Sequence, residues 1–153
     1  MTQYWLMKSE PDTFSIDDLK NCPNKTDCWS GVRNFQARNM MKNDMKLKDQ
    51  IFFYHSSCKP PGIVGIAEVV RTSYPDPTQF YPKSKYYDPR ATKEKPYWYL
   101  VDVKFKKKFA QMITLEDLRN NKDLKDMPLM RQGNRLSIMP VTAKEWESVM
   151  DMI

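Results

Sequence analysis

The sequence predicts an α+β fold: a mixed, mostly antiparallel sheet, curled into a barrel, with peripheral helices set against it. Hairpin-linked strand segments dominate the order of elements, and no strand–helix–strand unit repeats as a parallel sheet would require. The helical stretches are short and open on capping residues. With 153 residues, 41% of them hydrophobic and 12% aromatic, the chain suits one domain over residues 1–153. A chain of this length withdraws roughly 70% of its unfolded surface from water, which excludes disorder for its bulk.

Tyr4-Trp5-Leu6-Met7-Lys8 reads as the first strand, ended by Ser9-Glu10-Pro11, where Pro11 cannot donate to a ladder. Ser15 with Asp18 marks a short helix through Lys20, stopped before Pro23. Trp29-Ser30-Gly31 is a turn, and Phe35, Met41 and Met45 among polar residues suit a helix from Asn34, its N-cap, to about Met45. Gln50–His55 is a nearly continuous apolar run, as expected of a strand buried on both faces. Pro60-Pro61-Gly62 turns the chain into a strand over Ile63–Val70, and Gly65 inside it marks a bulge or a close backbone approach. Ser73 to Pro96 is a long Pro- and Tyr-rich segment without a period, of the kind that is usually functional or mobile. Trp98 to Phe109 alternates as a half-buried strand, Thr114–Arg119 opens a short helix, and Leu124–Arg131 suits another turn or two. Arg135–Val141 is the final strand. The capping box Thr142-x-x-Glu145 then starts a helix with Trp146, Val149 and Met150 on one face.

The chain carries 25 Lys+Arg against 19 Asp+Glu, a net charge of +6. Between Lys83 and Lys108 nine basic residues face three acidic ones, so this basic segment holds the whole excess, beside Tyr86, Tyr87, Tyr97, Trp98 and Tyr99. A solvated loop and a lysine-guarded edge strand would explain it plainly. The coincidence of charge and aromatic rings favours an acidic polymer, whose phosphates lysines attract and whose bases rings stack on. No run approaches the ~20 apolar residues of a membrane span, and Met1-Thr2-Gln3-Tyr4-Trp5 lacks the pattern of a secretory signal. The expected setting is cytoplasmic, with a bacterial lean, or nuclear if the source is eukaryotic.

Three cysteines, Cys22, Cys28 and Cys58, fit a reducing compartment. Cys22, Cys28 and the His55-x-x-Cys58 pair lack the tight spacing of zinc knuckles, so no metal is expected. His55, at the end of an apolar strand, reads as a satisfied structural histidine. With four glycines and no phosphate-cradling loop, no cofactor is expected either.

Polar–aromatic clusters recur at strand ends: Lys8-Ser9-Glu10-Pro11, Trp29-Ser30-Gly31-Val32-Arg33-Asn34, Tyr54-His55-Ser56 and Asn134-Arg135-Leu136-Ser137. Each alone suits a cap or a turn. Together they offer a stacking surface and edge hydrogen bonds, which a pocket for a flat heterocycle needs. These clusters, with Trp5–Pro11, Gly62–Ala67 and Asn134–Val141, resemble the EVE domain family essentially end to end. The resemblance implies a PUA-like fold related to YTH and ASCH domains, and binding of modified bases in DNA or RNA. Lys8-Ser9-Glu10 and Trp29-Ser30 look like the cage motifs of YTH readers, with Glu10 where those have Asn. A carboxylate only accepts, so Glu10 favours the amino group of a cytosine derivative over methylated adenine.

The expected function is therefore a non-catalytic reader of DNA or RNA carrying modified bases. The base pocket would comprise Lys8, Ser9, Glu10, Trp29, Ser30, Asn34, Tyr54, Ser56, Trp98 and Ser137, with Arg33, Arg135, Lys83, Lys85, Arg90 and Lys93 on phosphates. Trp29→Ala is expected to weaken binding more than tenfold and leave the fold intact. The alternatives are an ASCH-like hydrolase acting on modified nucleosides, with Lys8, Glu10 and His55 as acid–base groups, and a protein–protein adaptor. DNA against RNA, the modification itself and the oligomeric state stay open at this level.

Overall fold

The computed structural model describes residues 2–153; Met1, where the expected domain span begins, lies outside them. Six strands form one sheet in the order β2–β5–β4–β3–β1–β6. They are β1 (Tyr4–Ser9), β2 (Thr26–Cys28), β3 (Gln50–His55), β4 (Gly62–Pro75), β5 (Tyr99–Thr114) and β6 (Ile138–Val141). All neighbouring pairs are antiparallel except β1 and β3, which run parallel from Tyr4↔Gln50 to Ser9↔His55. The α+β class and the mixed, mostly antiparallel sheet are as the sequence predicts. The sheet is not closed: β2 and β6 remain its edges.

Four short helices accompany it: α1 (Ile16–Lys20), α2 (Phe35–Asn39), α3 (Leu115–Arg119) and α4 (Ala143–Met150). The capping boxes form as expected. The Ser15 hydroxyl accepts from the Asp18 N–H at 3.1 Å, and the Asp18 carboxylate accepts from the Ser15 N–H at 2.8 Å. Thr142 and Glu145 repeat the exchange at 3.1 and 2.9 Å. Each such cap is worth about 1 kcal/mol. The helix expected over 34–45 narrows to α2 and continues as a wider π-type turn over Met40–Asp44. Arg135–Ser137, expected in the last strand, precede β6, and β2 is a strand with no periodicity of its own.

Period-two alternation divides the core between the two faces of the sheet. Trp5, Met7, Ile51 and Phe53 fall on one face with α1 and α2 residues Ile16, Leu19 and Ala37. Leu6, Phe52 and Tyr54 fall on the other, against Leu118 and Val149. Burial of alternate residues on opposite faces explains why β3 reads as an unbroken apolar run. Trp146 of α4 stacks on Phe52, with centroids 3.8 Å apart and planes at 14°.

Gly65 is a close approach, as expected. The pairing of β4 with β5 slips between Ile63 and Gly65, and a Cβ at position 65 would lie 2.2 Å from the Lys107 carbonyl oxygen. That oxygen belongs to a paired strand and has nowhere to go. Gly65→Ala is expected to cost about 2 kcal/mol or more through overpacking, read as a lowered midpoint in urea unfolding.

Candidate nucleic-acid interface

Because β1 and β3 are parallel, Ser9 and His55 finish side by side at one end of the sheet. Residues 10–49 must cross between these strands, and they bring α1, β2 and α2 with them. A cavity of about 430 Å³ opens at that end, within the usual range for small-molecule sites. Lys8 and Ser9 reach it from β1, Glu10, Thr13 and Phe14 from the turn that follows, and Asp27 and Cys28 from β2. The turn Trp29–Arg33, Lys85 and Tyr86 of the long loop, and Ser137 ahead of β6 complete the lining.

Trp29 is fixed where β2 ends: its N–H donates to the Val101 carbonyl at 2.9 Å. The indole is only 8% exposed and meets Phe14 and Phe53 edge-on, with centroids 6.4 and 5.4 Å away. It serves the core and the cavity wall at once. The indole N–H makes no hydrogen bond among the described residues, where no buried side-chain nitrogen or oxygen lacks a partner; it is therefore open to a ligand or water. The Ser9 hydroxyl donates to the Phe14 carbonyl at 2.6 Å and keeps its acceptor side. Glu10 and Ser30 are exposed at the rim.

A buried carboxylate holds the turn. Asp76, 1% exposed, accepts from the Gly31 N–H at 2.8 Å, Arg33 at 3.2 Å, and the Thr78 N–H and hydroxyl at 2.8 and 2.6 Å. Gly31 sits at φ +85°, and a Cβ there would lie 2.7 Å from the Tyr86 ring, so only glycine lets that ring close over the turn. Arg33 was expected on phosphate, but the fold uses all five of its N–H donors. They bond the Tyr86 carbonyl twice, the Val32 carbonyl, Asp76 and the Thr78 hydroxyl, at 2.7 to 3.2 Å. Its guanidinium also lies 5.3 Å from the Tyr86 ring centroid and 5.1 Å from that of Trp98. Arg33 is a strut between the turn and the long loop.

The cavity thus brings together Lys8, Ser9, Glu10, Trp29, Ser30, Ser137, Arg33 and Lys85. Lys8 is half-buried, its nitrogen 5.7 Å from the Tyr54 ring centroid, and burial pulls its pKa down. Other expected members lie elsewhere. Asn34 caps α2, accepting from the Ala37 N–H at 2.9 Å. Tyr54 points to the opposite face of the sheet, where burial pushes its phenol up to about 12. Ser56 extends the strand pairing, its N–H donating to the Ser9 carbonyl at 3.0 Å. Trp98 is buried against Phe35, stacked at 4.6 Å, with its indole N–H on Asp88 at 2.8 Å. Arg90 pairs with that same Asp88 at 2.8 Å, and this bond holds the Asp88 carboxyl well below the usual carboxylate range. Lys93 stands with Pro75, Pro77, Phe80 and Tyr81 at a separate hollow, and Lys83 and Arg135 are exposed outside the cavity lining.

Sequence reasoning missed Phe14, Asp27, Cys28 and Tyr86 as lining and Asp76 as the organiser of the Gly31–Arg33 turn. Only Tyr86 carried a signal, its place in the basic, aromatic stretch. His55 is the satisfied structural histidine expected: its Nε2 accepts from the Ile16 N–H at 3.1 Å, starting α1. A larger hollow of about 590 Å³ beside Ala110–Ile113 and the C-terminus has no aromatic lining.

An open sheet whose parallel strand pair ends at an aromatic-walled polar cavity defines a ligand-binding α+β domain. The chain belongs to the EVE domain family, whose pattern matches residues 3–152. Thymocyte nuclear protein 1 of Mus musculus is 43% identical over 169 residues, covering 99% of this chain and 74% of that protein. A crystal structure of a Pseudomonas putida protein superposes with a TM-score of 0.93 at 46% identity, covering 97% of this chain and 98% of that one. The human THYN1 protein, solved in complex with 5-methylcytosine containing DNA, superposes at 0.92 with 42% identity, covering 99% and 97%.

Removing the buried Asp76 carboxylate leaves the partly buried Arg33 guanidinium and the Gly31 N–H without this acceptor. Asp76→Ala is expected to cost about 3 kcal/mol, read by urea unfolding. For His55, burial lowers the folded pKa below the unfolded value of about 6.5. The neutral ring's contribution is complete above that value and is lost as pH falls through the folded one. The melting temperature is expected to drop as pH falls below about 6.5, and His55→Gln to flatten that part of the profile.

Proposed function

We propose that this chain, a single EVE domain over residues 1–153, is a non-catalytic reader that takes one modified base of a nucleic acid, a cytosine derivative, into the cavity at the end of β1. The carrying observation is the pairing of an aromatic wall with a free donor and a carboxylate. Trp29 supplies a ring edge and an open indole N–H, and Glu10 supplies acceptors at the rim. A cytosine edge offers the complement: an amino donor for Glu10 and ring acceptors for the indole N–H. Tyr86, Lys85 and the hydroxyls of Ser9, Ser30 and Ser137 stand around the same space. Similarity to the human protein solved with 5-methylcytosine containing DNA supports this reading. In a eukaryotic cell the name of the mouse relative points to the nucleus.

Trp29→Ala is the wrong test of the pocket. The indole fills core space between Phe14 and Phe53, and truncating a buried Trp costs about 3–5 kcal/mol, so the expectation of an intact fold is revised. Tyr86→Ala and Glu10→Gln act from the loop and the rim instead. In fluorescence titrations, Tyr86→Ala is expected to weaken binding of a 5-methylcytosine oligonucleotide about tenfold, within the ~1–3 kcal/mol of a base–aromatic stack. Glu10→Gln is expected to reduce the preference for methylcytosine over N6-methyladenine. Equal binding of modified and unmodified oligonucleotides by the wild type overturns the proposal.

A further inference from the structure

A second concavity, of about 560 Å³, lies at the start of β2, opposite the end that carries Trp29. Lys20 reaches it from α1, Asn24 and Lys25 from the turn before β2, and Lys104, Phe105 and Lys106 from β5. The ammonium groups of Lys20 and Lys25 lie 5.9 and 5.7 Å from the centroid of the one Phe105 ring. No carboxylate lines this hollow. Lys106 has a partner in Glu68 at 3.6 Å, and among the described residues Lys20, Lys25 and Lys104 form no ion pair. Like charges gathered with only one close counter-charge repel, and an anion seated among them removes that repulsion.

The backbone adds a second observation. Asn24 and Lys25 adopt φ of 56° and 54° in succession. Asn tolerates the left-handed region; Lys gains nothing from it. Strain of this kind persists where the surroundings impose it and concentrates at binding sites. Here it falls on the turn that delivers the Lys25 ammonium to Phe105.

We infer that this lysine-rim hollow receives the phosphate backbone of the same nucleic-acid strand whose base enters the cavity. The inference rests on the base-reading proposal for its direction. The two hollows lie at the two ends of β2: Lys25, just ahead of the strand, lines one, and Cys28, its last residue, lines the other. The two strand steps from Thr26 to Cys28 span about 7 Å, the rise of about two stacked nucleotides at 3.4 Å each. The Cys22 thiol at the lysine hollow also lies 3.8 Å from Asp27, which lines the cavity. This continuity favours a nucleic-acid strand over an acidic protein segment, which would have no use for the cavity.

The test is the Lys25→Ala/Lys104→Ala double variant of the full chain, titrated with short single-stranded oligonucleotides carrying 5-methylcytosine or cytosine over a range of salt. Affinity at low salt is expected to fall about tenfold for both oligonucleotides alike, and the slope of log K against log salt to shrink by about 0.7 per lysine removed. The melting temperature is expected to hold, because among the described residues neither lysine forms an ion pair. An unchanged slope overturns the inference, as does a loss confined to binding of a polyglutamate peptide. A slope that shrinks in a protein without preference for methylcytosine would leave the lysine hollow standing and remove the base reading. Intact preference with an unmoved slope would do the reverse.

Discussion

The structure depends on the parallel register of β1 with β3. Parallel neighbours cannot be joined by a tight turn, so forty residues must leave the end of β1 and return to the start of β3. That crossover covers one face of the sheet with α1 and α2 and sends β2 out to the far edge beside β5. It also leaves both strand ends, Ser9 and His55, at the same side with the crossover passing above them. Crevices beyond the carboxyl ends of parallel strands are where open α/β sheets place ligands. A single parallel pair in an otherwise antiparallel sheet obeys the same geometry.

What holds the cavity in shape is local and polar where the core is apolar. His55 anchors the first residue of α1, Asp76 gathers Gly31, Arg33 and Thr78, and Arg33 ties the turn to the loop that carries Tyr86. His55 and Asp76 accept from N–H groups, and Arg33 donates to carbonyls, that would otherwise lack partners inside the fold, and an unmade bond of this kind costs more than a made one contributes. The long segment after Ser73, without periodicity, is therefore fixed at its cavity end by hydrogen bonds and ring contacts. It needs no regular secondary structure to place Tyr86.

Much of this was legible in the sequence, for physical reasons. The β1, β3 and β4 strands announce themselves because burial on two faces demands unbroken apolar runs, and both capping boxes are written within four residues. Gly65 signalled a backbone contact because few other causes put glycine inside a strand. Strand β2 was hidden: three residues become a strand only because β5 offers them partners about 75 positions away. Lys8-Ser9-Glu10 and Trp29-Ser30 converge because each lies at the end of a strand. Tyr54 and Trp98 look equally suitable by type and differ only in the face or loop they pack into, which a one-dimensional pattern does not carry. Arg33 shows the related trap of reading charge as ligand contact. A cation whose donors are all used inside the fold contributes rigidity, and Lys20, Lys25 and Lys104 near the start of β2, without ion pairs among the described residues, make the more telling electrostatic feature.

The double duty of the indole at position 29 has an evolutionary corollary. Any drift in that side chain is screened for folding before it is screened for ligand preference, because one ring serves both ends. On the base-reading proposal, diversification of specificity within such a scaffold is thereby channelled away from the inner wall and onto Glu10, Ser30 and the Lys85–Tyr86 tip at the cavity's outer lining.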